Sequence, residues 1–146
     1  MAGVVDTNLL LHAVNQDAPE HEAARAFLLD VGRSADAWYV TEGIAYEFMR
    51  VATHPKVFVH PLTWTEALAF IRDLLEAESI HVLQAGPDHW SLLNDVLGGL
   101  THPAGNLFFD VRTVVLMREH GVRRIYTIDA DFLQFGGIEV ENPLRA

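Results

Sequence analysis

Two kinds of apolar pattern alternate along this chain. Short β-branched or aromatic runs read as strands: Val4-Val5, Trp38-Tyr39-Val40, Ile80-His81-Val82-Leu83, Arg123 to Ile128, and Ile138-Glu139-Val140. Between them, apolar residues fall three and four apart, which is the spacing of a helix with one buried face. The spacing predicts a helix beginning just after Asp6, and a second over Glu20 to Val31 that Gly32 stops. A third covers Thr41 to Ala52, with Ile44, Phe48, Val51 and Ala52 as its inner stripe. Thr63-Trp64-Thr65-Glu66 has the form of a capping box and opens a fourth, with Ala67, Leu68, Ile71, Leu74 and Leu75 inward. Gly86-Pro87-Asp88 starts a fifth through Trp90, Leu93, Val96 and Leu97, ending at Gly98-Gly99. The sixth begins near Leu107, carries Val111, Val114, Val115 and Met117 inward, and closes at Gly121. Strands that alternate with helices predict an α/β fold with a central, mainly parallel β-sheet flanked by helices.

Composition narrows the picture. The 146 residues suit one domain, and half of them are hydrophobic, enough for a sizeable core. No apolar run is long enough to span a bilayer, and the N-terminus lacks the pattern of a signal peptide. A cytoplasmic protein is the simplest fit. With no cysteine, disulfides, thiol catalysis and cysteine-held metal are excluded. The net charge of −10 argues against a broad basic surface for nucleic acid. It leaves room for acids gathered around a cation, or for a basic protein partner.

The polar residues at the strand ends and helix starts carry the chemistry. Val4-Val5 runs directly into Asp6-Thr7-Asn8, and the later strand ends in Asp129-Ala130-Asp131. In an open α/β sheet, ligands bind beyond the carboxyl ends of the strands. Asp6 could equally serve as a helix N-cap. Glu47 lies three after Ile44 and four before Val51, on the apolar stripe, where an ionised carboxylate is costly unless paired or metal-bound. Its structural alternative is a place at the stripe's edge, reaching water or Arg50. Asp110 falls in the first turn of its helix, where an acid suits the dipole or can point into the same crevice. Each acid has an ordinary explanation; their coincidence does not. Clustered carboxylates raise one another's pKa unless a cation is present. Mg²⁺ and Mn²⁺ prefer such oxygen ligands and support phosphoryl chemistry.

Other chemistries lack their residues. Among eight histidines there is no His-Glu-x-x-His, and no P-loop, G-x-G-x-x-G or G-x-S-x-G pattern occurs. A phosphoacceptor receiver would want a lysine beside its acids, whereas the sole lysine, Lys56, follows Pro55 in a loop.

Four stretches taken in order carry a resemblance: Val4-Val5-Asp6-Thr7-Asn8, Tyr46-Glu47-Phe48-Met49-Arg50-Val51, Gly105-Asn106-Leu107-Phe108-Phe109-Asp110 and Tyr126-Thr127-Ile128-Asp129-Ala130-Asp131-Phe132. Over essentially the whole chain they resemble the PIN domain, and in particular the VapC toxin ribonucleases of bacterial toxin–antitoxin pairs. Thr53-His54-Pro55-Lys56-Val57-Phe58 and Glu141-Asn142-Pro143-Leu144 resemble one VapC subgroup. Val111-Arg112-Thr113 follow Asp110 where that family usually has small residues.

The resemblance implies a single PIN domain over residues 1–146, with a Rossmann-like three-layer sandwich. It implies a metal-dependent endoribonuclease that hydrolyses RNA phosphodiesters with a metal-activated water, leaving a 5′-phosphate and a 3′-hydroxyl. The site acids would be Asp6, Glu47, Asp110 and Asp129, with Asp131 as a further ligand of Mg²⁺ or Mn²⁺. Thr7 would orient the first acid or a water, and Asn8 would support the site by hydrogen bonding. Arg50 and Arg112 are candidates for phosphate contacts, a solvated or ion-paired arginine being the alternative. The partners implied are an RNA substrate, a cognate VapB antitoxin and a second copy of the chain. Two other functions stay open: an inert PIN-like module that only binds a partner, and a PIN nuclease of RNA processing.

Overall fold

The computed structural model describes residues 2–145. Five strands form one parallel sheet: β1 (Val4–Val5), β2 (Trp38–Thr41), β3 (Ile80–Leu83), β4 (Arg124–Tyr126) and β5 (Glu139–Glu141), in the order β3-β2-β1-β4-β5. Six α-helices connect them: α1 (Thr7–Val14), α2 (His21–Arg33), α3 (Glu42–Ala52), α4 (Trp64–Glu76), α5 (His89–Gly98) and α6 (Leu107–Glu119). A short 3₁₀ turn covers Ala130–Gln134.

The chain leaves central β1 toward β2 and β3, then crosses back to β4 and β5 on the other side. Parallel crossovers are right-handed, so reversing the direction puts α5 and α6 on the face opposite α1 to α4. The reversal also makes β1 and β4 neighbours, with Val4 beside Ile125 and Val5 beside Tyr126. That is the switch point of the sheet, where a crevice opens beyond the strand ends. The close approach has a local requirement: a Cβ on Gly3 would overlap the Arg124 carbonyl.

The core explains why these segments hold their places. Val4, Val5, Leu9, Leu10, Phe48, Val111, Val114, Leu116 and Ile125 are fully buried. β1 is apolar on both faces, as a central parallel strand must be. Phe27, Trp38 and Tyr126 pack ring against ring, with Trp38 and Tyr126 centroids 4.8 Å apart. Helix α3 starts where Thr41, itself buried, accepts the Ile44 N–H at 3.0 Å. Helix α4 starts at a reciprocal capping box of Thr63 and Glu66.

Several elements differ in detail from their sequence patterns. Helix α2 begins at His21, so Pro19 stands ahead of it. Helix α6 is not amphipathic: Val111 and Thr113 to Met117 are all buried, since it lies between neighbours. Strand β4 is only three residues long: the Thr127 N–H still donates to the Glu141 carbonyl, and from Ile128 on the backbone turns to side-chain partners. None of the described helices is long and apolar enough to cross a membrane.

Candidate active site

Asp6 leaves β1 in extended backbone and caps α1. Its Oδ1 accepts the Thr7 N–H at 2.8 Å, and its Oδ2 accepts the Thr127 hydroxyl at 2.7 Å and the Asn8 amide at 3.2 Å. The capping role and the cluster role therefore coexist in one carboxylate. Asn8 also donates to the Thr127 hydroxyl at 2.9 Å and accepts the Ile128 N–H at 3.3 Å. Thr127 further accepts the Asp129 N–H at 3.0 Å, so a single network ties the ends of β1 and β4 together. Asp129 in turn caps the 3₁₀ turn by accepting the Asp131 N–H at 2.9 Å.

Asp6, Glu47, Asp110, Asp129 and Asp131 line one cavity of about 320 Å³, together with Asn8, Arg50, Asn106, Leu107, Leu11 and Phe109. Thr7 lines a smaller recess that opens off Asp6, Glu47 and Asp110. Every acid and amide that the sequence marked thus reaches the same crevice, delivered by the end of β1, the start of α1, α3, α6 and the turn after β4. The hydroxyl bonded to Asp6 belongs to Thr127, which the sequence reading passed over. Its signal was only its place two residues before Asp129, at the end of a strand.

The cluster is under electrostatic strain. Burial pushes the Asp6 carboxyl up to about 6; the Thr127 and Thr7 bonds oppose this, and the nearby Glu47 and Asp129 charges add to it. Asp110 is pushed up to about 7, first by burial and then by Asp6, Asp129, Glu47 and Asp131. Carboxylates brought together in this way favour a proton or a cation. Asp110, Asp129 and Asp131 each offer an oxygen, and these atoms all lie within 4.8 Å of one another. Among the described residues no histidine lines the cavity, so the donor set is oxygen alone. Such a set fits a hard divalent cation.

Arg112 and Arg50 flank the acids, and among the described residues neither guanidinium makes an ion pair or hydrogen bond. The pairing of Glu47 with Arg50 that the helix spacing allowed does not form. A Cβ on Gly43 would overlap the Arg112 guanidinium, so that glycine makes room for the cation against α3.

Comparison with known proteins agrees with this geometry. Ribonuclease VapC33 of Mycobacterium tuberculosis is 32% identical over 97% of this chain and 98% of its own length. Ribonuclease VapC48 of the same organism is 28% identical over 98% of each. Among solved structures, M. tuberculosis VapC20, a sarcin-ricin loop cleaving toxin, superposes with a TM-score of 0.69 at 19% identity, covering 95% of this chain and 98% of its own. VapBC2 from Rickettsia felis, bound to a promoter DNA fragment, gives 0.66 at 13% identity over 97% and 98%. The PIN domain profile matches residues 3–138, and the chain belongs to the PIN domain family.

Proposed function

We propose that this protein is the toxin of a type II toxin–antitoxin pair, a Mg²⁺- or Mn²⁺-dependent endoribonuclease built as one PIN domain. The observation that carries the reading is the convergence of five carboxylates from four separate segments in one cavity, two of them pushed well above the usual range. Full-length similarity to chains named as VapC ribonucleases supports the reaction and the substrate class. The VapBC complex among the structural neighbours supports a VapB-type antitoxin as partner. A homodimer working in the cytoplasm completes the proposal.

In this mechanism Asp6, Glu47, Asp110, Asp129 and Asp131 would hold the cation. Thr127, Asn8 and the Thr7 N–H bond both oxygens of Asp6, so the carboxylate is held in one orientation at the cavity wall. When bound, a divalent cation supplies positive charge to the phosphodiester and lowers the pKa of a water. The polyanionic substrate meets Arg50 and Arg112 at the rim. Water adds to phosphorus, the bond to the 3′-oxygen breaks, and the products are a 5′-phosphate and a 3′-hydroxyl.

The test is incubation of purified protein with total cellular RNA in Mg²⁺, in Mn²⁺ and in chelator, beside Asp6→Asn. Asparagine keeps the cap on α1 while removing the charge. The reading expects cuts at a few sites with 5′-phosphate ends, lost in chelator and in the variant. A folded protein that cuts nothing in either metal would overturn it in favour of an inert partner-binding module.

A further inference from the structure

A second cavity, of about 340 Å³, adjoins the acids where α3 meets the start of α6. Gly43, Tyr46, Glu47, Arg50, Phe109 and Arg112 line it, and Glu47, Arg50 and Phe109 also line the acidic cavity. Its volume is that of a small-ligand pocket. Two features set it apart from an ordinary apolar dent. Tyr46 is 75% exposed and Phe109 64% exposed, so two aromatic rings that could have been buried are left to solvent beside the acids. Two guanidiniums stand with them without an ion pair among the described residues, although the chain has twice as many acids as Lys and Arg combined. Gly43 is the reason Arg112 can sit so close to α3.

Exposed rings and unpaired arginines together suit single-stranded nucleic acid. Bases stack on aromatic faces and on guanidinium planes, and guanidinium also pairs with phosphate. We infer that this cavity is a nucleobase subsite: it holds the base next to the phosphate presented to the acids, with Tyr46 and Phe109 as stacking walls and Arg112 as the phosphate contact. The inference rests on the ribonuclease reading for the kind of ligand. It adds where this chain grips one base and which residues set that grip. The subsite fixes the cut relative to one nucleotide, so base preference is strongest at the position it holds.

The experiment compares two fluorescein-labelled probes, a single-stranded RNA octamer of mixed sequence and the same backbone with every base removed. Affinities are read by anisotropy in Mg²⁺, in the Asp6→Asn background. The octamer binds about tenfold more tightly than the abasic strand, as expected for stacking of one base. Tyr46→Ala erases that gap and Tyr46→Phe keeps it, while Arg112→Ala weakens both strands. Tyr46 is solvent-facing, so its removal leaves the core intact. Equal affinity for the two strands, or a gap that survives Tyr46→Ala, overturns the subsite. Sedimentation of the same variants covers a second copy as occupant: if Tyr46→Ala turns a dimer into a monomer, the face belongs between copies and the subsite is wrong. Loss of antitoxin capture with the RNA gap intact assigns the cavity to protein and likewise overturns it. A gap without cleavage of total RNA would sink only the nuclease; cleavage without a gap would sink only the subsite.

Discussion

The Thr127 hydroxyl donates to Asp6 Oδ2 across 2.7 Å, joining two residues 121 positions apart in the chain. Both are buried, and the bond exists because β1 and β4 lie side by side. Thr127 favours the charged form of Asp6, against the burial that opposes it. Replacing the hydroxyl by a methyl in Thr127→Val leaves a buried carboxylate oxygen short of a donor, at about 1–3 kcal/mol. The variant should unfold earlier, titrate Asp6 at a higher pH and bind divalent cation more weakly. Thr127→Ser should restore all three. Carboxyl NMR titration with calorimetry checks this; unchanged metal affinity in Thr127→Val would remove Thr127 from the site.

The raised acids also fix how the metal-free protein responds to pH. Asp6 titrates near 6 and Asp110 near 7, both above their ordinary 3.8. The folded state therefore holds protons that the unfolded state releases. Their contribution to stability is complete below about pH 4 and is lost as pH rises through 6 to 7. The melting temperature in chelator should fall over that window, and Mn²⁺ should reverse the fall at pH 8. Asp110→Asn should flatten the slope in chelator and blunt the response to Mn²⁺. A melting temperature in chelator that rises from pH 4 to 8 and is indifferent to Asp110→Asn would contradict the strained cluster.

At the far end of α6 from Asp110, Glu119 accepts the Gly86 N–H at 2.7 Å and meets His89 Nδ1 at 2.5 Å. Burial raises this carboxyl, but the bonds from His89 and Gly86 outweigh it and hold Glu119 below its ordinary range. A lowered carboxyl contributes stability above its unfolded value near 4.5 and loses it as pH falls through the folded one. It lies nine helical steps from Asp110, about 13.5 Å along the axis. Glu119→Ala should cost about 2 kcal/mol by denaturant titration. Metal affinity at 20 °C should not change, which makes this the stability control for the site variants. A drop in metal affinity there would mean that the ends of α6 are coupled.

Much of this arrangement was written in local signals, and the remainder depends on which strands become neighbours. The first four strands fall on short β-branched or aromatic runs, the fifth lies at Glu139–Glu141, one residue past its Ile138-Glu139-Val140 pattern, and Thr41 and Thr63 announce the helices they cap. The acids were legible because Asp6 and Asp129 follow strands and Glu47 interrupts an apolar stripe. Thr127 was not: a threonine at a strand end looks like ordinary β-propensity until Asp6 and Asn8 arrive beside it. Periodicity also misplaced the edges of the stripes. Trp90, Leu68 and Leu75, expected inward, are exposed, because a ring or a branched chain at the stripe's edge can fall either way. Whether Arg50 and Arg112 were paired could not be read from one dimension, since their acids come from other elements.

Gly43 offers the sharpest test of how Arg112 is held. The glycine sits in the first turn of α3 at an exposed position, where alanine is the better helix former by about 0.5–1 kcal/mol. A Cβ there would meet the end of a flexible side chain, so the guanidinium swings away and the helix stays. Gly43→Ala should therefore melt at or above the wild-type temperature, yet bind the RNA octamer about tenfold more weakly, as Arg112→Ala does. The double variant should be no weaker than Arg112→Ala alone, because both changes remove the same contact. Anisotropy on the four proteins and one set of melts decide it. Additive losses would mean that Gly43 acts on RNA by another route, and an unaltered affinity in Gly43→Ala would mean that the position of Arg112 over α3 is not what the substrate reads.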